Sequence, residues 1–241
     1  MTWLGALLAF LGGFVAALLG WFRLPDDMVP VVRYALVAAF FVVPAATSLY
    51  NEHRGATARE FELRKLRKAY EQKNRDLASS VIEQLLGQMC SVLDSGGTIP
   101  RANVMLVDRN ELAIRYHHRM VEAPDIDLRF QKYQGCAGHA WGTGKMTICD
   151  LQGIGDTDLT QTWKLNPTQR AVTANLKCIV SAPIRSLDHP DIIVGVLSFD
   201  SQAALGQTRF DEGDVQSKVF QTAEMVAKLL KMGNIITGGE E

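Results

Sequence analysis

Positive charge is scarce in this sequence wherever secretion or nucleic-acid binding would need it. Lys and Arg number 25 against 26 Asp and Glu, a formal net charge of −1. No cation excess is left for a phosphate backbone, which excludes nucleic acid as a partner. No Lys or Arg precedes Arg23, whereas a cleavable signal peptide needs a basic amino-terminal region. The spacing GxxxxGK[ST] is missing, which excludes a Walker-type phosphate loop. No two cysteines fall at CxxC spacing, and the adjacent His117 and His118 would point to opposite faces of a strand, so no metal is assigned. Nothing in the sequence names a cofactor.

Charge of either sign is thin over the first fifty residues, where only Arg23, Asp26, Asp27 and Arg33 carry it. Residues 3–22 are twenty uncharged residues, and a helix of that length spans the roughly 30 Å hydrocarbon layer. A second apolar run, 29–49, has Arg33 near its start, within snorkelling reach of headgroups. Pro25 lies in the short connector, so 1–50 is expected to be a transmembrane helical hairpin. Gly5, Ala9, Gly13 and Ala17, with Gly12, Ala16 and Gly20, form ridges of small residues suited to close helix approach. Arg54, Arg59, Arg64, Lys65, Arg67 and Lys68 follow the second run. Basic flanks stay cytoplasmic, so the expected location is the inner membrane, multi-pass with two helices and both termini in the cytoplasm. The lipid bilayer is then a partner, and Cys90, Cys136, Cys149 and Cys178 are reduced thiols.

Residues 51–78 read as a juxtamembrane connecting helix. Leu63, Leu66, Tyr70 and Leu77 form a thin seam near heptad spacing, interrupted by Lys73, which suits either pairing into a homodimer or higher homo-oligomer or a solvated single helix leaning on headgroups. From residue 79 the pattern is globular. A helical stripe over 81–93 is followed by strand-like runs at 102–108, 112–118, 145–151, 178–186 and 191–201. Asp188, His189 and Pro190 mark a hairpin between the last two. Residues 211–233 return to helix, with Val215, Val219, Ala223, Val226 and Leu230 on one face. The fold class is α+β, an antiparallel sheet flanked by helices over 79–233, with a short tail at 234–241.

Several short patterns occur in order: Gly135-Cys136-Ala137-Gly138-His139-Ala140-Trp141 with Gly144-Lys145, then Ile148-Cys149-Asp150. Ser181-Ala182-Pro183-Ile184 follows, then Gly195 to Ser201, and Arg209 to Asp214 before the last helix. In this order they resemble the GAF domain family, small-molecule sensor modules. The resemblance implies a ligand pocket, with Cys136, Trp141, Trp163, Ser181, Ser198 and Asp200 as ligand-binding candidates. Alternation puts Ser198 and Asp200 on one face of their strand and Leu197 and Phe199 on the other. Trp163 falls in 151–177, where the family places a lid, and an aromatic ring there can stack on a planar ligand.

The ligand class implied by the resemblance is a cyclic nucleotide. With no kinase, cyclase or DNA-binding segment after residue 233, the hairpin is the expected output element. The expected function is a non-enzymatic, membrane-anchored sensor or effector, of the kind that disrupts membranes in antiviral defence. One alternative is a membrane anchor that signals to a separate partner protein. Another is a thiol-dependent reductase resembling the GAF-type methionine sulfoxide reductases, with Cys136 as nucleophile. Such an enzyme needs a second, resolving cysteine; none lies in 160–177, and Cys178 opens a strand. Cys136 is therefore expected to be a pocket thiol and not a catalytic residue.

Overall fold

The computed structural model describes residues 28–94, 99–120 and 126–235. Helix α1 runs from Met28 to Val92 as one 65-residue element. The chain divides into two compact units between Leu66 and Arg67, and the second unit contains the sheet. The first apolar run, 3–22, lies outside the described residues. Among the described residues no helix is long and apolar enough to cross a membrane. The inner-membrane, two-helix location is corrected accordingly. The run 29–49 does not close off as a separate span. It continues as one helix into the charged stretch from Glu52 to Asp76, where Leu63, Leu66 and Tyr70 are exposed, as is Leu77 just beyond it.

Six strands form one antiparallel sheet: β1 (Arg101–Asp108), β2 (Glu111–His118), β3 (Arg129–Phe130), β4 (Thr147–Asp150), β5 (Cys178–Arg185) and β6 (Ile193–Ser201). Their spatial order is β3-β2-β1-β6-β5-β4. β5 and β6 form the expected hairpin, closed by Ser186 N–H donating to the Ile192 carbonyl at 2.9 Å. The two-residue β3 has no signature in the sequence, because a strand that short has no alternation to read.

Side-chain alternation divides the sheet into two apolar layers. Val104 of β1, Val180 and Ile184 of β5, and Leu197 and Phe199 of β6 are fully buried on one face. They pack against Ile82, Leu86 and Cys90 of α1 and against the last helix, α6 (Gly213–Met232). α6 contributes the expected stripe of Val215, Val219, Ala223, Val226 and Leu230. Removing each large side chain from water contributes roughly 1.5–3 kcal/mol, so this layer holds the domain together.

Short helices cover the opposite face: α2 (Gly135–Thr143), α3 (Asp156–Gln161) and α4 (Pro167–Thr173); a single turn, α5 (Leu205–Thr208), follows β6. Met105, Ile114, Phe130, Trp141, Leu165 and Val196 form a second apolar cluster on this side. These helices are too short to fill the space above the sheet as completely as α1 and α6 do. The cavity lies between them and the strands.

Candidate functional site

The glycine-rich stretch at 135–144 builds one wall of the cavity. Gly135 has φ +61°, a left-handed conformation that turns the chain into α2. A Cβ on Gly138 would stand 2.3 Å from the Gln131 carbonyl oxygen, so the helix approaches the preceding turn closer than any side chain allows. Gly135 N–H donates to the Trp163 carbonyl at 2.8 Å. The glycines are therefore used on chain turning and close backbone approach. Their outcome is to set Cys136, in the first turn of α2, against β4 and β5.

Two rows of residues cross the sheet on the cavity face. Strand register places Asn103 opposite Ser198, Ser198 opposite Ser181, and Ser181 opposite Thr147. One step along, Arg101 is opposite Asp200, Asp200 opposite Ile179, and Ile179 opposite Cys149. In the first row Ser181 Oγ and Ser198 Oγ are 2.8 Å apart, one hydroxyl donating to the other. In the second, Arg101 Nε donates to Asp200 Oδ1 at 2.6 Å. Asn103 is 3% exposed, and its Oδ1 has no hydrogen-bond partner.

Above the rows is a cavity of about 60 Å³. Its remaining walls are apolar, from Met105, Ile114, Phe130, Leu165, Val172 and Leu176 among others. Among the described residues, Arg101 and Asp200 are the charged ones on its wall, and they are paired with each other. The space is far below the roughly 300–1,000 Å³ of sites that enclose drug-sized ligands.

The segment over the cavity is fastened by amide side chains. Asn166 and Gln169 form a capping box at the start of α4. Gln169, 2% exposed, also donates to the Arg129 carbonyl at 2.6 Å, tying α4 to β3. Gln134 donates to the Lys164 carbonyl at 2.8 Å. Trp163, held between these ties, lines the cavity and meets the His139 ring edge-on at a centroid distance of 5.1 Å.

The cysteines separate by face. Cys178 is on the helix side, 3.3 Å from the Ala203 carbonyl, and Cys90 is in the same apolar layer. Cys136 and Cys149 both line the cavity. Cys136 Sγ lies 3.4 Å from the Thr147 carbonyl and 3.7 Å from that of Ile179, the residue opposite Cys149 on β5. The two thiols are therefore neighbours. Burial, reinforced by the Cys136 thiol beside it, pushes Cys149 far above the ordinary thiol range and keeps it protonated.

Of the six candidate residues, Cys136, Trp163, Ser181, Ser198 and Asp200 line the cavity. Trp141 is absent from its wall. Its ring is in the apolar cluster with the Lys132 ammonium 5.6 Å from its centroid, which is a packing position. Sequence reasoning missed Arg101, Asn103, Cys149 and Gln169. Asn103 left a signal, a carboxamide at mid-strand between Ala102 and Val104. Cys149 left none, because only strand pairing and the placement of α2 bring it to Cys136. Among the described residues no cluster of His, Cys, Asp and Glu could hold a metal ion.

No protein-family model matches the sequence, and no curated protein does. Similar solved structures include GAF domains and reductases. A GAF domain region from Geobacter sulfurreducens is 16% identical, with a TM-score of 0.49 over 66% of this chain and 97% of that one. A type II free methionine-R-sulfoxide reductase from Thermoplasma acidophilum is 11% identical, with a TM-score of 0.48 over 65% and 94%. The substrate complex of a reductase of this kind from Staphylococcus aureus is 19% identical, with a TM-score of 0.43 over 66% and 95%. The flanked antiparallel sheet is the α+β arrangement that the resemblance to GAF domains implies. The expectation that the chain is not an enzyme is corrected here. The cavity wall holds two adjacent thiols, Cys136 and Cys149, where one inert pocket thiol was expected.

Proposed function

We propose that the second unit is a receptor for a small, uncharged ligand, enclosed between the sheet rows and the segment 151–177. The observation that carries this is the buried, polar-floored and apolar-walled cavity into which five of the six candidate residues project. Such a surface orients a ligand by hydrogen bonds from the strands while apolar walls and Trp163 contribute affinity. A cyclic nucleotide fits poorly. Its phosphate requires a cation, and the cation on the wall, Arg101, is paired with Asp200. Its bulk also exceeds a space of about 60 Å³. Signalling to a partner or through a homo-oligomer belongs to the same proposal, with Tyr70 and Leu77 exposed on α1. The membrane-disrupting defence output is dropped with the membrane location. Native mass spectrometry of the full chain from its own cells tests the reading. A retained small mass, lost in a cavity-filling Val172→Phe variant, is expected. Retention of that mass by Val172→Phe would place the ligand elsewhere.

The neighbouring thiols favour a second reading, a thiol-dependent sulfoxide reductase. In that chemistry the Cys136 thiol attacks the sulfoxide sulfur, and the sulfur–oxygen bond breaks to release the thioether and leave Cys136 as a sulfenic acid. Cys149 displaces that oxygen as water while closing the disulfide, the two thiols supplying two electrons and two protons. In this reading Cys136, in the first turn of α2, is the attacking group and Cys149, raised by burial, the resolving one. Dithiol-supported turnover of free methionine-R-sulfoxide, lost in both Cys136→Ser and Cys149→Ser, is the expected result. Equal rates in wild type and Cys136→Ser would remove this reading.

A further inference from the structure

Asn103 occupies an uneconomical position. It is 3% exposed, it projects from β1 on the cavity face, and its Oδ1 accepts no hydrogen bond. A buried unsatisfied polar atom is rare in folded proteins and costs stability. Leu or Val would fit the apolar strand at no such penalty.

A carboxamide presents an acceptor and a donor side by side on one edge. Across the ladder, Ser198 is opposite Asn103 and shares one hydroxyl proton with Ser181. A hydroxyl pair uses one of its two protons internally, so the second is available to an acceptor in the cavity. The floor, spread over β1, β6 and β5, therefore offers an acceptor and two donors, and the charges among its described residues are paired with each other. The complement is a ligand edge with an N–H beside a C=O. We propose that the cavity selects a neutral amide or lactam, held in a two-bond pairing by the Asn103 carboxamide. The ligand oxygen is within reach of the Ser198–Ser181 pair, and its apolar remainder faces Met105, Ile114 and Val172. This rests on the receptor reading above and names its ligand class.

The test titrates the full chain with two five-membered rings of similar size, 2-pyrrolidinone, a lactam, and cyclopentanone, which has only the carbonyl. Ligand-observed nuclear magnetic resonance reports both affinities. The lactam is expected to bind about fivefold tighter or better, because the ketone leaves the Asn103 acceptor unpaired. In Asn103→Leu that preference disappears while cyclopentanone still binds, which also reports an intact cavity. Asn103→Thr is the second variant should leucine not be accommodated, and it loses the preference likewise. Equal wild-type affinities would overturn the amide class and leave the cavity as a receptor. If neither ring binds, the receptor reading falls and this inference with it.

Discussion

Arg101 and Asp200 are directly opposite in the β1–β6 ladder, and the guanidinium donates to the carboxylate at 2.6 Å. The Asp200 side chain is 6% exposed and that of Arg101 23%. The pair is thus a strand-joining contact as much as a cavity wall. An Asp200→Ala change designed only to weaken ligand binding would also disturb the fold. Arg101→Met removes the carboxylate's ion-pair partner, and breaking a largely buried pair costs about 3 kcal/mol. Arg101→Met with Asp200→Leu recovers most of that loss. Urea unfolding of both variants checks this. A single variant within about 0.5 kcal/mol of wild type would show that the pair contributes little.

Ser181 and Ser198 form the second contact across these strands. Replacing either one with Ala leaves a buried hydroxyl without its partner, at about 1–2 kcal/mol. Replacing both is nearly neutral, because no unsatisfied group remains. A double-mutant cycle by urea unfolding should therefore return a favourable coupling energy. A zero coupling energy would mean each hydroxyl finds a partner elsewhere.

The buried thiols set an alkaline limit on stability. Burial, with the Asp200 charge adding to it, raises Cys90 from the ordinary 9.0 to about 12. Burial likewise raises Cys149 and Cys178. The folded state favours the neutral thiol, so this contribution is complete below pH 9. Between pH 9 and 12 the unfolded chain releases thiol protons that the folded chain retains, and stability falls as pH rises. Urea midpoints measured from pH 8 upward should decline beyond about pH 9, with a shallower slope in Cys90→Ala.

Two glycines separate close approach from mere flexibility. Gly138→Ala drives a Cβ into the Gln131 carbonyl, 2.3 Å away, and should destabilise the domain by about 1–3 kcal/mol. Gly155→Ala meets no atom within 4 Å and should be close to neutral. Thermal unfolding of the pair distinguishes them, and similar melting temperatures would refute the close-approach account.

How much of this was legible beforehand depended on the range of the interaction involved. Strand-like apolar runs at 102–108, 178–186 and 191–201 marked three of the strands, and alternation on the last put Ser198 and Asp200 on one face and Leu197 and Phe199 on the other, as found. The 3.6-residue stripe from Val215 to Leu230 marked the helix that covers them. Turn chemistry at Asp188-His189-Pro190 fixed the hairpin. These signals are local, because each reports a side chain's own preference for burial or for a turn. The order of patterns from Gly135 to Asp214 likewise singled out Ser181, Ser198 and Asp200 on β5 and β6, which line the cavity.

Long-range decisions were not in the local pattern. Apolarity alone made 29–49 read as a span, whereas the chain continues there as one helix, Met28–Val92. Trp141 and Trp163 look alike as aromatic residues near glycines. Only the packing of α2 sends one into the apolar cluster, and only the ties of Gln134 and Gln169 hold the other over the cavity. Cys149 lies thirteen residues beyond Cys136 in sequence, and the strand register makes them neighbours. The sequence by itself determined which residues face inward, since burial follows side-chain chemistry and local period. Tertiary structure decided which inward residues meet, because register and helix docking are set by the summed packing of the whole sheet.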